Sequence, residues 1–181
     1  MAARYWKTAS SRTKRILTIV AFLIIAIIVT SIGAVTPLSN QEADSINHEL
    51  NKTRENASVQ YIFGNNLMIC LLMFVPIVGP ILGMWVLYNT GLVIAAESML
   101  PSMHGIPPLL VLFTLLVFPF AWLEFLSYST AFAESVWLVR RIQQGRTRRE
   151  LRNAAILIAI VTVALLLAAI IEMAMIMLLG G

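Results

Sequence analysis

Charged and apolar positions are sorted into blocks along this chain. Ile16–Val35 has no charged side chain, Ala154–Leu179 has only Glu172, and no Lys or Arg occurs from Glu55 to Val139. A helix needs about 20 apolar residues to cross a hydrocarbon layer roughly 30 Å thick. The first and last blocks each supply that length. Between them, Val75-Pro76-Ile77-Val78-Gly79-Pro80 separates two apolar helices at about 61–75 and 81–98. The first of these covers only ~22 Å at 1.5 Å per residue. A second broken unit follows, in which His104-Gly105-Ile106-Pro107-Pro108 opens an apolar run to Phe118 and Pro119 interrupts it. A longer helix then runs from about Phe120 to Ile142.

The pattern predicts an all-α, polytopic transmembrane helix bundle in one membrane domain, 1–181. Residues 1–15 form a basic N-terminus and 16–35 a span. Residues 36–60 form an external loop with a short helix, 61–142 the core helices, 143–152 an Arg-rich loop and 153–179 the last span. Ser39-Asn40-Gln41-Glu42 has the spacing of a capping box, in which serine and glutamate side chains satisfy free N–H groups at a helix start. Ile46 and Leu50 give the helix that follows a narrow apolar edge. Asn51-Lys52-Thr53 and Asn56-Ala57-Ser58 match the N-glycosylation acceptor pattern.

Composition agrees, with 59% hydrophobic and 12% charged residues; soluble domains are about 25% charged. The thirteen Lys and Arg give a net charge of +4, but they cluster at 4–15, 52–54 and 140–152. Five precede the first span and six lie between the last two, where positive charge orients helices with basic loops cytoplasmic. This speaks for the lipid bilayer as partner and against nucleic acid. The apolar run at 16–35 exceeds the 7–15 residues usual in a cleavable signal, so an uncleaved anchor in the cell membrane is expected. With both basic stretches cytoplasmic, an even number of crossings must separate them. About five full spans are therefore expected, with 106–118 dipping in and returning, and the C-terminus external.

FAWLEFLSYSTAFAES, from Phe120 to Ser135, places two glutamates inside this apolar region. On a helical wheel Glu124, Tyr128, Ala131, Ser127, Ser135 and Glu134 share a stripe about 120° wide. Trp122, Phe125, Leu126, Phe132 and Val136 cover the remainder, as on a helix with its polar face toward neighbours and its apolar face toward lipid. A carboxylate turned to hydrocarbon costs several kcal/mol, so each needs a partner or a proton. Asn66, Asn89, Tyr128, free backbone N–H groups at the broken-helix ends or a proton of its own are the expected partners of Glu124, and Arg141 lies two turns beyond Glu134. Glu97 and Glu172 fall near the external ends of their spans. The candidate polar network is Glu124, Tyr128, Glu134, Asn66, Asn89 and His104.

Catalytic patterns are missing: there is no phosphate loop, nucleophile elbow or paired-His helix. His48 and His104 lack metal-ligand spacing, the lone Cys70 forms no internal disulfide, and Met173, Met175 and Met177 fit ordinary packing. No cofactor or metal is expected. Gly79 and Gly83 form a GxxxG that permits close helix approach.

FGNNLMICLLMFVPIVGPILGMWVLYNTG resembles the central signature of the stage II sporulation protein M family. Asn65 and Asn66, Gly79 and Gly83, and Asn89 with Gly91 stand at its Asn and Gly positions, and His104-Gly105 matches the His-Gly pair of its second signature. Thr90 separates Asn89 from Gly91, and the glutamate that follows His-Gly in the family comes late here, as Glu124. The resemblance covers roughly 60–140. It implies a polytopic membrane protein, and in spore-formers a membrane anchor for machinery that remodels septal wall; many relatives lie outside sporulation. The expected function is a non-catalytic membrane scaffold or accessory subunit with other membrane proteins as partners. The alternative is a small transporter or channel with a midplane Glu/Asn site, as short, Pro/Gly-interrupted segments suggest.

Overall fold

The computed structural model describes residues 11–103, 105–145 and 147–179. Arg4, Lys7, His104 and Arg146 lie outside these residues. Seven α-helices and one short 3-10 turn, Pro101–Met103, make up the described part: α1 Ser11–Ala34, α2 Asn40–Glu55, α3 Val59–Met73, α4 Val78–Ser98, α5 Pro108–Leu115, α6 Pro119–Ile142 and α7 Thr147–Leu179. No strand occurs among the described residues.

Helices α1, α4 and α7 are long and apolar enough to cross a membrane. That is fewer than the five spans expected from the sequence. Helix α3 ends after 15 residues, because the Pro76 and Pro80 region cannot continue the helical hydrogen-bond ladder. Helix α6 passes the test only together with α5, and the two meet at 90°. Pro119 sits at the start of α6 with extended backbone at Phe118 before it, the geometry that a following proline imposes. Trp122 Nε1 donates to Leu116 O at 2.6 Å across the bend. Helix α5 thus lies across the bundle, with Leu112 packed against Ala34 of α1 and Ile94 of α4.

Large apolar residues are exposed at helical spacing: Ile16, Val20, Ile24, Ile28 and Ile32 on α1, and Ile156, Ile160, Val163, Leu167 and Ile170 on α7. Water-soluble monomers rarely show contiguous apolar patches beyond a few hundred Å²; a bilayer makes such stripes favourable. The core lies behind them, where Phe132 meets Phe22 with ring centroids 5.5 Å apart and packs with Met73, Cys70 and Leu165. Phe125 and Phe132 are buried at 8% and 1% exposure, correcting the expectation that they face lipid. Trp122, Leu126 and Val136 do stay exposed. With several helices packed against it, α6 buries much more than the narrow polar stripe.

Glycine permits the closest approaches. A Cβ at Gly83 would fall 2.3 Å from the Phe132 ring, and at Gly91 2.2 Å from Thr30 O of α1. The GxxxG glycine Gly83 therefore seats an aromatic ring, while α1 and α4 cross backbone to backbone at Gly33 and Gly91.

Helix α2 begins with the expected capping box, Ser39 and Glu42 serving each other's backbone N–H groups. The Ser39 hydroxyl and the Ser39 backbone N–H both donate to the Glu42 carboxyl and hold it below its ordinary range. The helix is fastened to α4 by Asn47, whose Nδ2 donates to Ala96 O at 2.9 Å, and by an Arg54–Glu97 ion pair. Ala43 and Asn47 are its buried residues. Ile46 and Leu50, the expected apolar edge, are half-buried.

The break between α3 and α4 is strained. Ile77 has φ 71° and ψ −53°, and Val78 N donates to Pro76 O at 2.8 Å, a three-residue γ-turn that L residues rarely adopt. Ile77 is 68% exposed, so little packing depends on its side chain. Ile77→Gly should stabilise the protein by about 1 kcal/mol, raising the thermal midpoint in detergent by about 2–4 °C. A lowered midpoint would show that the Ile77 side chain contributes more than the turn costs.

Candidate functional site

Two acidic clusters stand at different levels of α6. In the first, α6 carries Glu124 in its second turn and α3 carries Asn66 opposite. Asn66 Nδ2 donates to Glu124 Oε1 at 2.5 Å. Tyr128, one turn further along α6, is 7% exposed. One turn beyond Asn66, the Cys70 thiol faces Ser127 O at 3.7 Å. Glu172 of α7 lies within electrostatic reach of both Glu124 and Tyr128. Three helices thus bring two carboxyls, an amide, a phenol and a thiol to one level of the bundle. No Lys or Arg occurs between Arg54 and Arg140 or after Arg152, and hydrogen bonding and the holding of a proton are open to this cluster.

The second cluster gathers α1, α6 and α7 at the basic end. Arg15 Nη1 is 3.0 Å from Glu134 Oε2, and Arg15 Nη2 pairs with Glu150 Oε2. Arg141 Nε lies 3.6 Å from Glu150 Oε1, and Asn153 Nδ2 donates to Glu150 Oε2 at 3.4 Å. Glu134 and Glu150 are buried at 2% and 5% exposure. The guanidiniums of Arg15, Arg140 and Arg141 lie 5.5, 5.5 and 5.1 Å from the Trp137 ring centre, within cation–π range. Local order favours the assembly. Glu150 occupies the first turn of α7, and Arg140 and Arg141 the last turn of α6, each where the helix dipole attracts its charge.

The structure divides the predicted network. Glu124 and Asn66 join as expected, with Tyr128 adjacent on α6. Glu134 belongs to the basic end, where Arg15 of α1 is an ion-pair partner. Asn89 donates to Trp85 O of its own helix at 2.7 Å, so it does not reach Glu124. His104 lies outside the described residues. Arg15 and Glu150 are cluster members absent from the predicted network, and Glu172, expected near the external end of its span, interacts electrostatically with Glu124 and Tyr128. Arg15 is the last base before the first apolar run, and Glu150 the sole acid among the Arg-rich residues; those positions were the available signals. Among the described residues no group of three or more His, Cys, Asp or Glu is placed to hold a metal ion.

The family model described as Stage II sporulation protein M matches residues 16–175, a longer stretch than the 60–140 resemblance in the sequence. No curated protein and no solved structure matches the chain.

Proposed function

The chain belongs to the stage II sporulation protein M family, and from that premise we propose that it is a non-catalytic membrane scaffold, an accessory subunit of a larger membrane complex. The observation that carries this reading is the attachment of α2. Asn47 and Arg54 fasten this polar helix to α4, leaving Asp44, Glu49 and Glu55 exposed. A short polar helix gains little stability by itself; fixed to a membrane bundle, it presents a pre-ordered acidic surface to a partner.

In this reading the basic end faces the cytoplasm, and α2 and the C-terminus face outward. Arg15, Glu134, Arg141 and Glu150 meet at one end of the bundle, which supports placing both basic stretches on the same side. Purification at native expression in mild detergent, followed by mass analysis, should recover partner membrane proteins. Charge reversal of Asp44 and Glu49 should release them. A lone monomer would count against the scaffold.

The Asn66–Glu124 hydrogen bond, with Glu172 in electrostatic reach, favours a second reading: a transporter with a proton- or ion-coupled site within the bundle. Glu124→Gln would then abolish flux into liposomes while the fold survives. Absence of flux by the parent protein under broad ion gradients would remove this reading.

A further inference from the structure

At the basic end a cleft of about 640 Å³ opens between α1, α6 and α7. Its lining changes character along the helices. Arg12 and Arg152 stand at the charged ends of α1 and α7, and Ile16, Ile19, Ile156 and Leu157 follow one or two turns into the apolar runs. Arg15 and Arg141 also border the cleft, but Glu134 and Glu150 answer their charge. Arg12 and Arg152 are exposed and take part in none of the ion pairs among the described residues. Four guanidiniums against two carboxylates leave positive charge in excess.

We propose that this cleft binds an anionic glycerophospholipid, with the phosphate held by Arg12 and Arg152 and the upper acyl chain laid along Ile16, Ile19 and Ile156. The charge calls for an anion. Guanidinium forks match phosphate oxygens in geometry, and basic pockets between membrane helices are suited to lipid headgroups. The apolar wall selects the source. Ile16 and Ile156 are 61% and 53% exposed, so the cleft continues into surface suited to hydrocarbon, which a free phosphate cannot use. The proposal is independent of whether the protein is a scaffold or a transporter.

The test is native mass spectrometry of the whole chain in neutral detergent, titrated with phosphatidylglycerol or phosphatidylcholine. Phosphatidylglycerol should be retained in preference to phosphatidylcholine. R12Q/R152Q should weaken its retention by about tenfold or more. Both arginines are exposed and stand outside the ion pairs of the described residues, so the variant should melt like the parent. R148Q, which removes an exposed arginine outside the cleft, should retain the lipid normally. Equal retention of the two lipids, an unchanged R12Q/R152Q, or an equal loss in R148Q would overturn the proposal. So would displacement of the lipid by inorganic phosphate at equal concentration, which would mark a free-phosphate site.

Discussion

Gly91→Leu is expected to force α1 away from α4 and to cost about 3 kcal/mol or more, lowering the thermal midpoint in detergent by about 6–12 °C. The reason is the identity of the atoms in the way. A Cβ at Gly91 would lie 2.2 Å from Thr30 O, 2.7 Å from Ala34 N and 2.7 Å from Gly33 Cα, all backbone. The reciprocal Cβ at Gly33 would lie 2.2 Å from Tyr88 O. No rotamer change relieves an overlap with backbone, so the helices must separate. In a bilayer that separation forfeits van der Waals packing, the main attraction between apolar helices. Helix α2 is attached to the same stretch of α4 through Ala96, so its position should loosen too. Gly64→Leu is the control, because a Cβ there meets nothing within 4 Å; it should leave the midpoint unchanged or raise it slightly. Equal melting of the two variants would show that the α1–α4 crossing is not a tight contact.

Arg15→Met is the second large effect. Glu134 and Glu150 are almost fully buried, and Arg15 reaches both. Removing one partner of a buried ion pair leaves an uncompensated charge and typically costs about 3–5 kcal/mol. Glu150 keeps Arg141 and Asn153, so the loss should fall mainly on Glu134. R15M/E134Q should therefore recover about half or more of the loss, a coupling that separate side-chain truncations would not show. Thermal unfolding of the two singles and the double in one detergent completes the cycle. Additive losses would mean that Arg15 stabilises the basic end through its contact with Trp137 and not through Glu134.

Both effects concern contacts that fasten helices together. The proposed scaffold role needs that rigidity, since α2 presents its acidic face only as firmly as α4 is held in the bundle.

Much of the fold is legible in local sequence. Helical content, the two long apolar runs, the prolines that break 75–80 and 107–119, and the Ser39–Glu42 capping box depend on residues a few positions apart, and the structure contains them. The common location of the basic stretches is legible as well, because charge is kept out of hydrocarbon wherever the helices pack. The polar stripe on α6 correctly marks Glu124 and Glu134 as groups in need of partners.

The identity of those partners is a tertiary matter. Glu124 and Asn66 are 58 positions apart, and Arg15 and Glu134 are 119 apart. Hydropathy and periodicity describe one helix at a time and say which face is polar, while the opposing face depends on how whole helices cross. The same ignorance of crossings hides the Gly33–Gly91 contact, since a glycine carries no side chain to announce its neighbour. It also sends Phe125 and Phe132 toward lipid on the wheel when packing from several sides encloses them. The span count fails for a related reason: apolar length is written in the sequence, but the 90° angle at which α5 and α6 meet, with Leu112 of α5 packed against Ala34 and Ile94 of other helices, is not. Sequence alone thus determined that the chain forms apolar helices with basic ends and unmet acidic groups. Only the folded bundle decided which helices answer them, because pairing energies arise between faces that are distant along the chain.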